Sequence, residues 1–306
     1  MKFFLFSDLH HFPGDLMCGS EDQLDAILAR AEAAGVDFII HAGDFCHGAS
    51  ISPETPAFIE KYNNFHIPTY HVLGNHDADF TPLDEMLQRY RMPAPYYYFD
   101  CKGYRFIALD TNWFWDGERY VHCEMRNYFG KKEQKYCLPP EEIEWLKKAI
   151  DESPYPCVIL SHDSIEREAV GAYNRAEVKE IINAANRKKP HSVFFCINGH
   201  YHRDHIRILD NICYFDVCSV GYDWLTIPHN HFPEELCRQY EDMPHSLVWN
   251  DPLSCIVTLE GTTITIEGME SSYFMGVTRE MTDNPPFDPS GRPAIPRIQS
   301  AKITIL

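Results

Sequence analysis

The fold is decided by the segment Thr69-Tyr70-His71-Val72-Leu73-Gly74-Asn75-His76-Asp77, in which an apolar, β-like run passes directly into a polar turn. In α/β proteins, reactive side chains lie just past the carboxyl ends of strands. Asn75 offers an amide oxygen, His76 an imidazole that titrates near physiological pH, and Asp77 a carboxylate. Asp77 either orients His76 or caps the turn. Tetrapeptides such as Gly74-Asn75-His76-Asp77 also occur in ordinary turns. Whether this one belongs to a functional site depends on the residues at the ends of the other strands.

Strand and helix patterns alternate in the first part of the chain. Strands are expected over 2–7, 36–41 and 69–73, and helices from Ser20 to Gly35 and from about Pro53 to Asn64. The residues Ser20 to Gln23 resemble a capping box at the start of the first helix. This alternation predicts a parallel sheet with right-handed crossovers. Each of the three strands ends in a polar cluster, which is the first strong indication of a site.

The later part of the chain mixes hairpins with further alternating units. A hairpin is predicted around Lys102-Gly103, between strands over 96–101 and 104–110. Irregular surface insertions are expected over 111–138 and 221–251. The remaining elements are helices over 139–150 and 174–187 and strands over 157–160, 193–197, 206–209, 212–219, 255–260 and 263–268. We therefore predict one domain over 1–268, with an extended tail over 269–306 packed on it and a last strand over 302–306.

Charge and hydropathy exclude several classes of protein. The chain has 306 residues, 44% of them hydrophobic, and a net charge of -18 from 45 acidic and 27 basic residues. A large core is therefore expected, and binding of an extended nucleic acid is disfavoured, because both molecules are polyanions. No apolar run approaches the ~18 residues of a membrane span. The apolar run before Ser7 is too short for a signal-peptide core, so we predict a cytoplasmic protein without membrane contacts.

The eleven cysteines are scattered singly, without a Cys-x-x-Cys pair. An odd number without zinc-ligand spacing indicates reduced thiols in a reducing compartment rather than a disulfide framework. We expect most of them to be small buried residues.

The groups at the ends of the predicted strands form a set of ligand types. These groups are Asp8, His10, Asp44, Asn75, His76, His162, His200 and His202. The pairs Asp8-x-His10 and His200-x-His202 are expected to face one side of an extended segment. Without His76, the set holds three carboxylate or amide groups and four imidazoles. This mixture favours two divalent transition-metal ions such as Mn, Fe or Zn, with one carboxylate shared between them.

Two such ions about 3.5–4 Å apart hold a bridging hydroxide and neutralise the oxygens of a phosphate during in-line displacement. A proton donor for the leaving oxygen is then needed, and His76 is the candidate.

Together, these motifs resemble the calcineurin-like metallophosphoesterase superfamily. The motifs are Asp8-Leu9-His10, Gly43-Asp44, Gly74-Asn75-His76-Asp77, His162 and Gly199-His200-Tyr201-His202. Leu109-Asp110-Thr111 and the helix with Trp145-Leu146 are similar to the cyclic-nucleotide phosphodiesterase-like branch. The resemblance implies a four-layer α/β/β/α sandwich of two mixed sheets flanked by helices, with a binuclear site at one edge of the sheets.

The resemblance also implies a role for each motif residue. One metal would be bound by Asp8, His10 and His202, the other by Asn75, His162 and His200, with Asp44 bridging them and His76 assisting the leaving group.

Three departures from relatives narrow the expected activity. His47 stands where purple acid phosphatases have a tyrosine, so a tyrosinate-bound ferric site is disfavoured. The residues over 45–51 lack the arginine of protein Ser/Thr phosphatases. Asp163 replaces a histidine found in many relatives, so no role is transferred to that position.

The sequence therefore favours a phosphoesterase acting on a small phosphodiester or nucleotide-like substrate. The alternatives are a phosphomonoesterase, a structure-specific nuclease, which would carry a basic groove, and a non-catalytic scaffold, which would have lost ligands. Flanking residues that either line the pocket or simply pack are His11, His41, Cys46 and His47. The aromatic run Trp113-Phe114-Trp115 either stacks on a substrate ring or forms a lid or interface.

Overall fold

A computed structural model describes residues 1–12, 19–47, 54–130, 135–285 and 291–306. Within these residues the helices are α1 Ser20–Ala34, α2 Thr55–Asn63, α3 Leu83–Arg89, α4 Pro140–Asp151, α5 Arg175–Lys188 and α6 Glu234–Gln239. The strands are β1 Lys2–Phe6, β2 Phe38–His41, β3 Thr69–His71, β4 Tyr97–Cys101, β5 Tyr104–Ala108, β6 Trp113–Trp115, β7 Tyr120–His122, β8 Lys135–Cys137, β9 Cys157–Ser161, β10 Val193–Asn198, β11 His205–Leu209, β12 Ile212–Asp216, β13 Tyr222–Trp224, β14 Ser246–Val248, β15 Cys255–Glu260, β16 Thr263–Glu267, β17 Met269–Glu270, β18 Arg297–Ile298 and β19 Ala301–Thr304.

Two large mixed sheets organise these strands. The first has the order β19-β16-β15-β1-β2-β3, in which β1, β2 and β3 are parallel and the others antiparallel. The second has the order β11-β12-β10-β9-β5-β4, with four parallel strands between antiparallel edges. Most parallel neighbours are joined by crossover helices, as the sequence pattern predicts, whereas β10 and β12 are joined through β11.

The two sheets pack face to face through an apolar layer. Phe38 of the first sheet meets Phe106 of the second with ring centroids 5.1 Å apart, and Phe3 stacks on Phe38. On the outer face of the first sheet lie α1, α2 and α3, whose contacts include Leu24 and Phe58. The outer face of the second sheet is covered by α4 and α5. The predicted α/β/β/α sandwich is confirmed.

The register of the parallel strands brings their carboxyl ends to one edge. Phe6 of β1 pairs with His41 of β2, and His41 pairs with His71 of β3. In the second sheet, Ser161 of β9 pairs with Asn198 of β10. The polar segments that follow these strands therefore emerge side by side, and this is how the fold gathers residues that are distant in sequence.

Local details of the helices differ from expectation. The predicted capping box is wrong: α1 is preceded by Gly19 in a left-handed conformation, and no side chain among the described residues caps its first turn. The hydroxyl of Ser20 instead pairs with Nδ1 of His11 at 2.8 Å. The second helix spans Thr55–Asn63, and Pro53, its expected start, lies outside the described residues. The helix α3 was not predicted.

The two insertions are more ordered than the sequence indicated. Within 111–138, the strands β6, β7 and β8 form a small sheet over a cluster of Phe114, Cys123 and Tyr128. Within 221–251, β13 pairs with β14 as an antiparallel ladder. The predicted last strand is found as β19, which completes the first sheet beside β16. The division into a domain over 1–268 and a tail stays a prediction.

All described cysteines are free thiols, and most are buried, as expected. Cys18 lies outside the described residues. Among the residues that the structure describes, no helix has the length and apolarity needed to cross a membrane.

Candidate metal centre

Most of the predicted ligands lie on backbone that is strained rather than extended. A positive φ is found at Asp8 (57°), His10 (53°), Asp44 (56°), His200 (62°) and His202 (58°). The expectation that Asp8-x-His10 and His200-x-His202 lie on extended segments is therefore wrong. Residues other than glycine in this region cost about 1–3 kcal/mol each and cluster at functional sites. The backbone turns sharply at each of these positions at the edge of the sheets, and these turns bring the side chains together.

Glycines beside the ligands allow backbones to approach closely. A Cβ atom at Gly74 would lie 2.2 Å from Oδ1 of Asp44. At Gly199 it would lie 2.0 Å from Oγ of Ser7 and 2.7 Å from Oδ2 of Asp8. Any side chain at either position would displace a carboxylate, so these glycines are needed for the geometry of the centre.

One cluster consists of Asp8, His10 and His202, whose ligand atoms all lie within 4.8 Å of one another. Nε2 of His202 lies 3.2 Å from Oδ1 of Asp8 and 3.2 Å from Nε2 of His10. The Asp8 carboxylate also accepts the hydroxyl of Ser7 at 2.5 Å and the backbone N–H of His200. All three side chains are buried.

The second cluster consists of Asp44, His162 and His200, again within 4.8 Å. Nε2 of His162 lies 3.0 Å from Oδ2 of Asp44, and the rings of His162 and His200 are 5.0 Å apart. Nε2 of His10 lies 3.7 Å from the same Asp44 oxygen, so Asp44 stands between the two clusters. This is the position that the resemblance implies for a bridging carboxylate.

Asn75 lies in the turn after β3 and carries a buried amide. Its side chain is buried, and Oδ1 has no hydrogen-bond partner among the described residues. The next backbone N–H, that of His76, donates to Oδ1 of Asp44 at 2.8 Å, which holds the turn against the carboxylate. A buried carbonyl oxygen without a partner costs about 1–3 kcal/mol unless a group absent from the polypeptide meets it.

His76 is oriented by a residue that sequence reasoning missed. Its Nδ1 lies 2.7 Å from Oδ2 of Asp79, and the other oxygen of Asp79 accepts the hydroxyl of Tyr128 at 2.5 Å. The His76 side chain keeps 26% of its surface exposed, so its ring remains accessible from solvent. Burial lowers the pKa of His76, but the carboxylates of Asp44 and Asp79 outweigh burial and raise it.

The prediction that Asp77 orients His76 is wrong. The Asp77 carboxylate points away from that ring and accepts the backbone N–H groups of Asp44, Cys46 and Gly74, together with the hydroxyl of Tyr90. Burial and the neighbouring Asp44 raise the pKa of Asp77 to about 7. Asp77 thus ties the turn after β3 to the turn after β2, which corresponds to the turn-capping alternative.

Of the flanking residues, only His47 reaches the clusters. Its Nδ1 lies 3.1 Å from Nδ1 of His10, and its ring is 4.1 Å from that of His76. His11 stacks on Phe58 at 3.7 Å instead, and His41 packs among the rings beneath the first sheet.

The aromatic run Trp113-Phe114-Trp115 forms β6. Nε1 of Trp113 donates to Asp110, Phe114 is buried, and Trp115 is 37% exposed. Whether this run stacks on a substrate ring or forms a lid or an interface stays a prediction.

The family described as calcineurin-like phosphoesterase matches residues 1–204. The chain belongs to this family. This match and the two clusters of candidate ligands support a metal-dependent hydrolase of phosphate esters.

Solved structures of other proteins share the fold. A dimetal phosphatase from Danio rerio superposes with a TM-score of 0.62 at 15% identity, covering 89% of this chain and 98% of that one. GAP50, the anchor in the inner membrane complex of Plasmodium, superposes with a TM-score of 0.57 at 14% identity, covering 100% and 89%. No curated protein matches the chain by sequence. At these identities the likeness concerns the fold alone.

The metal ions that the family implies fit the donor atoms of this calcineurin-like chain. His162 and His202 each donate Nδ1–H to a backbone carbonyl, at 3.0 Å in both cases. A neutral ring in that orientation presents a lone pair at Nε2, and these lone pairs face Asp44 and Asp8. Two acceptors at such distances repel unless a second proton or a cation lies between them.

The unpartnered amide oxygen of Asn75 favours the cation, because an amide does not take up a proton near neutral pH. The carboxylates are also in the form that metals need. Burial alone would raise the pKa of Asp8, but the imidazoles of His202 and His10 outweigh burial and hold it well below its ordinary value. The pKa of Asp44 is likewise lowered, because His162 and His76 outweigh the effect of burial.

Proposed function

We propose that the protein hydrolyses a small phosphodiester or nucleotide-like phosphate ester at a pair of divalent transition-metal ions, with Mn, Fe or Zn as candidates. Asp8, His10 and His202 would hold one ion, Asn75, His162 and His200 the other, and Asp44 both. The proposal rests chiefly on the buried, unpartnered Oδ1 of Asn75, in a turn whose next backbone N–H, that of His76, donates to Asp44.

When bound, the two ions supply an activated water and neutralise charge on the phosphate. The polypeptide supplies the proton for the leaving oxygen. Asp79 accepts the Nδ1–H of His76, so the exchangeable proton lies on Nε2, at the other side of the ring. The partly exposed ring makes this nitrogen accessible to a bound substrate. His76 therefore acts as the general acid.

Two observations support a small diester over other phosphate esters. The net charge of -18 repels long polyanions, which ranks DNA below small substrates. The segments Leu109-Asp110-Thr111 and Trp145-Leu146 are similar to the cyclic-nucleotide phosphodiesterase-like branch. A phosphomonoesterase remains the second candidate, because the same metal pair serves both reactions.

The test uses protein stripped of metal by a chelator and then reloaded separately with Mn²⁺, Fe²⁺ or Zn²⁺. Each form is assayed on aryl phosphomonoesters, aryl phosphodiesters and cyclic nucleotides that share leaving groups where possible. We expect hydrolysis only after reloading, with kcat/KM at least about tenfold higher for diesters, which corresponds to about 1.4 kcal/mol of transition-state stabilisation. Faster monoester turnover would favour the second candidate, and no turnover with any of the ions would refute the phosphoesterase.

A further inference from the structure

A tyrosine from the 221–251 insertion lies at the metal centre. Tyr222 is the first residue of β13, and its ring centroid is 5.3 Å from that of His10 and 5.2 Å from that of His202. Trp224 also contacts the ring, with centroids 4.9 Å apart. Tyr222 thus packs against two proposed metal ligands and a second aromatic residue of the insertion.

The backbone of Tyr222 fixes this position. Its carbonyl oxygen accepts Nδ1–H of His202 at 3.0 Å and also the hydroxyl of Ser219. Pairing of Tyr222 with Val248 in the β13–β14 ladder holds the strand from its other edge. The ring therefore has little freedom to turn away from the centre.

The hydroxyl of Tyr222 has no hydrogen-bond partner among the described residues, although the side chain is only 3% exposed. Burial raises the pKa of this hydroxyl well above its ordinary value, and the carboxylates of Asp44 and Asp8 add to the shift. The ring contacts with His10 and His202 place the side chain that carries this hydroxyl against the first cluster. A buried donor without an acceptor is unfavourable, and it points to an acceptor that binds from outside the chain.

We propose that the Tyr222 hydroxyl donates a hydrogen bond to a phosphate oxygen of the substrate bound at the metal centre. The inference rests on the proposed function, which places a phosphate there. A phosphate oxygen carries negative charge, and hydrogen bonds to charged groups are the stronger class. The contact does not involve the leaving group, so Tyr222 would serve every phosphate ester that the enzyme accepts.

A second tyrosine provides a matched control. Tyr214 in β12 also has a buried hydroxyl without a partner among the described residues. Its ring lies in the layer between the second sheet and the helices α4 and α5, among residues such as Ile182 and Cys196. Tyr214→Phe therefore removes an equivalent hydroxyl on the far side of the second sheet.

The experiment compares the parent, Tyr222→Phe and Tyr214→Phe. Each is loaded with Mn²⁺, its metal content is measured by plasma emission, and inorganic phosphate is titrated into it by calorimetry. Thermal unfolding of the metal-free forms is recorded as well. We expect all three to bind equal metal and neither variant to unfold at a lower temperature. Phosphate should bind to Tyr222→Phe about tenfold or more weakly than to the parent, and to Tyr214→Phe as to the parent.

Equal phosphate affinity in Tyr222→Phe and the parent would overturn the inference, as would failure of the loaded parent to bind phosphate. Loss of metal from Tyr222→Phe would also overturn it, because the hydroxyl would then be a metal ligand. A lower unfolding temperature for Tyr222→Phe alone would show that the hydroxyl has a partner within the protein. The hydrolysis assay of the parent tests the proposed function separately. Turnover by the parent together with unchanged phosphate affinity in Tyr222→Phe would overturn the inference alone.

Discussion

Two groups of buried histidines lie in different places, one within strands of the first sheet and the other past the strand ends of the second sheet, and their surroundings differ in one respect. His41 and His71 belong to β2 and β3 and pack against aromatic rings, with Tyr90 stacked on His71 at 4.3 Å. His162 and His202 are equally buried but face carboxylates at 3.0 and 3.2 Å. Burial lowers the pKa of His41 and His71. It would do the same to His162, but Asp44 reverses the effect and raises that pKa.

The comparison teaches that burial alone does not place a histidine beside the carboxylates of the candidate metal centre. A histidine within a strand points into the layer between the sheet and its helices, where apolar rings surround it. Residues a few positions beyond the strand end turn back over the sheet edge and meet side chains from other strands. His41 and Asp44 are only three residues apart, yet His41 lies in the layer between the first sheet and its helices, whereas Asp44 lies past the strand end at the sheet edge.

The contrast between histidines in the core and histidines that face carboxylates can be tested by substitution. The largest loss of metal affinity is expected for Asp44→Asn. The amide keeps the shape but removes the charge that stands between both clusters. We expect metal affinity to fall by more than about 100-fold, since loss of an outer hydrogen-bond partner of a metal ligand already costs about 10–100-fold. Activity should disappear with the metal. Equilibrium dialysis against Mn²⁺, followed by metal analysis, measures the change.

The control is His41→Leu, which changes a buried group near Asp44 without touching a carboxylate. It should keep full metal content and activity, because both ring nitrogens of His41 lack partners among the described residues. If His41→Leu released the metal, the distinction between the two groups of histidines would collapse.

The next effect concerns His76 and its partner Asp79. His76→Ala should keep the metal and lower kcat by about 10²–10⁴-fold, with the smallest losses on substrates whose leaving groups need no proton. Asp79→Asn should lower kcat by about tenfold, because it removes the negative charge beside Nδ1–H of His76 and leaves one acceptor oxygen for the two donors His76 and Tyr128. Steady-state kinetics on aryl esters of graded leaving-group pKa measures both.

The exposed Asp84→Asn serves as the control for Asp79→Asn and should leave kcat unchanged. A full rate of His76→Ala on poor leaving groups would assign the acid elsewhere. An equal loss on all leaving groups would give His76 a binding role instead.

Much of this centre was predictable because strand ends are visible in sequence. Apolar runs that stop at Asp8, Asp44, Asn75, His162 and His200 give both the parallel sheets and the edge at which these groups meet. The left-handed backbone at three of these five positions was not predictable, since nothing in Asp or His requires it.

Other features depend on geometry that residue patterns do not contain. Asp79 rather than Asp77 contacts His76, because the backbone turns after His76 and brings the third residue beyond it, Asp79, onto the ring. Tyr222 reaches the centre only through the pairing of β13 with β14. The short strands β6, β7 and β8 are not visible in the sequence, because three-residue strands rich in charge and aromatic residues show no periodicity.

The smallest expected effect concerns the histidines packed among aromatic rings, and it is a change in the free energy of unfolding at acidic pH. Burial lowers the pKa of His71 to about 3, below the roughly 6.5 of an unperturbed histidine. Below pH 6.5 the unfolded chain therefore binds a proton that the folded chain does not, so the free energy of unfolding falls as the pH is lowered towards 3. Between pH 7 and pH 5 this one residue should cost about 2 kcal/mol.

His71→Phe should flatten that dependence, since a phenyl ring keeps the stacking on Tyr90 and has no proton to gain. It gives up the contact between Nε2 of His71 and Oδ1 of Asn63, so a constant loss at pH 7 is expected as well. Urea unfolding of the metal-free protein at several pH values separates the two effects, because only the slope with pH reports the titration. The exposed His66→Gln should keep the parent's slope. If His71→Phe also kept that slope, acid sensitivity would belong to the imidazoles of the metal centre rather than to the core.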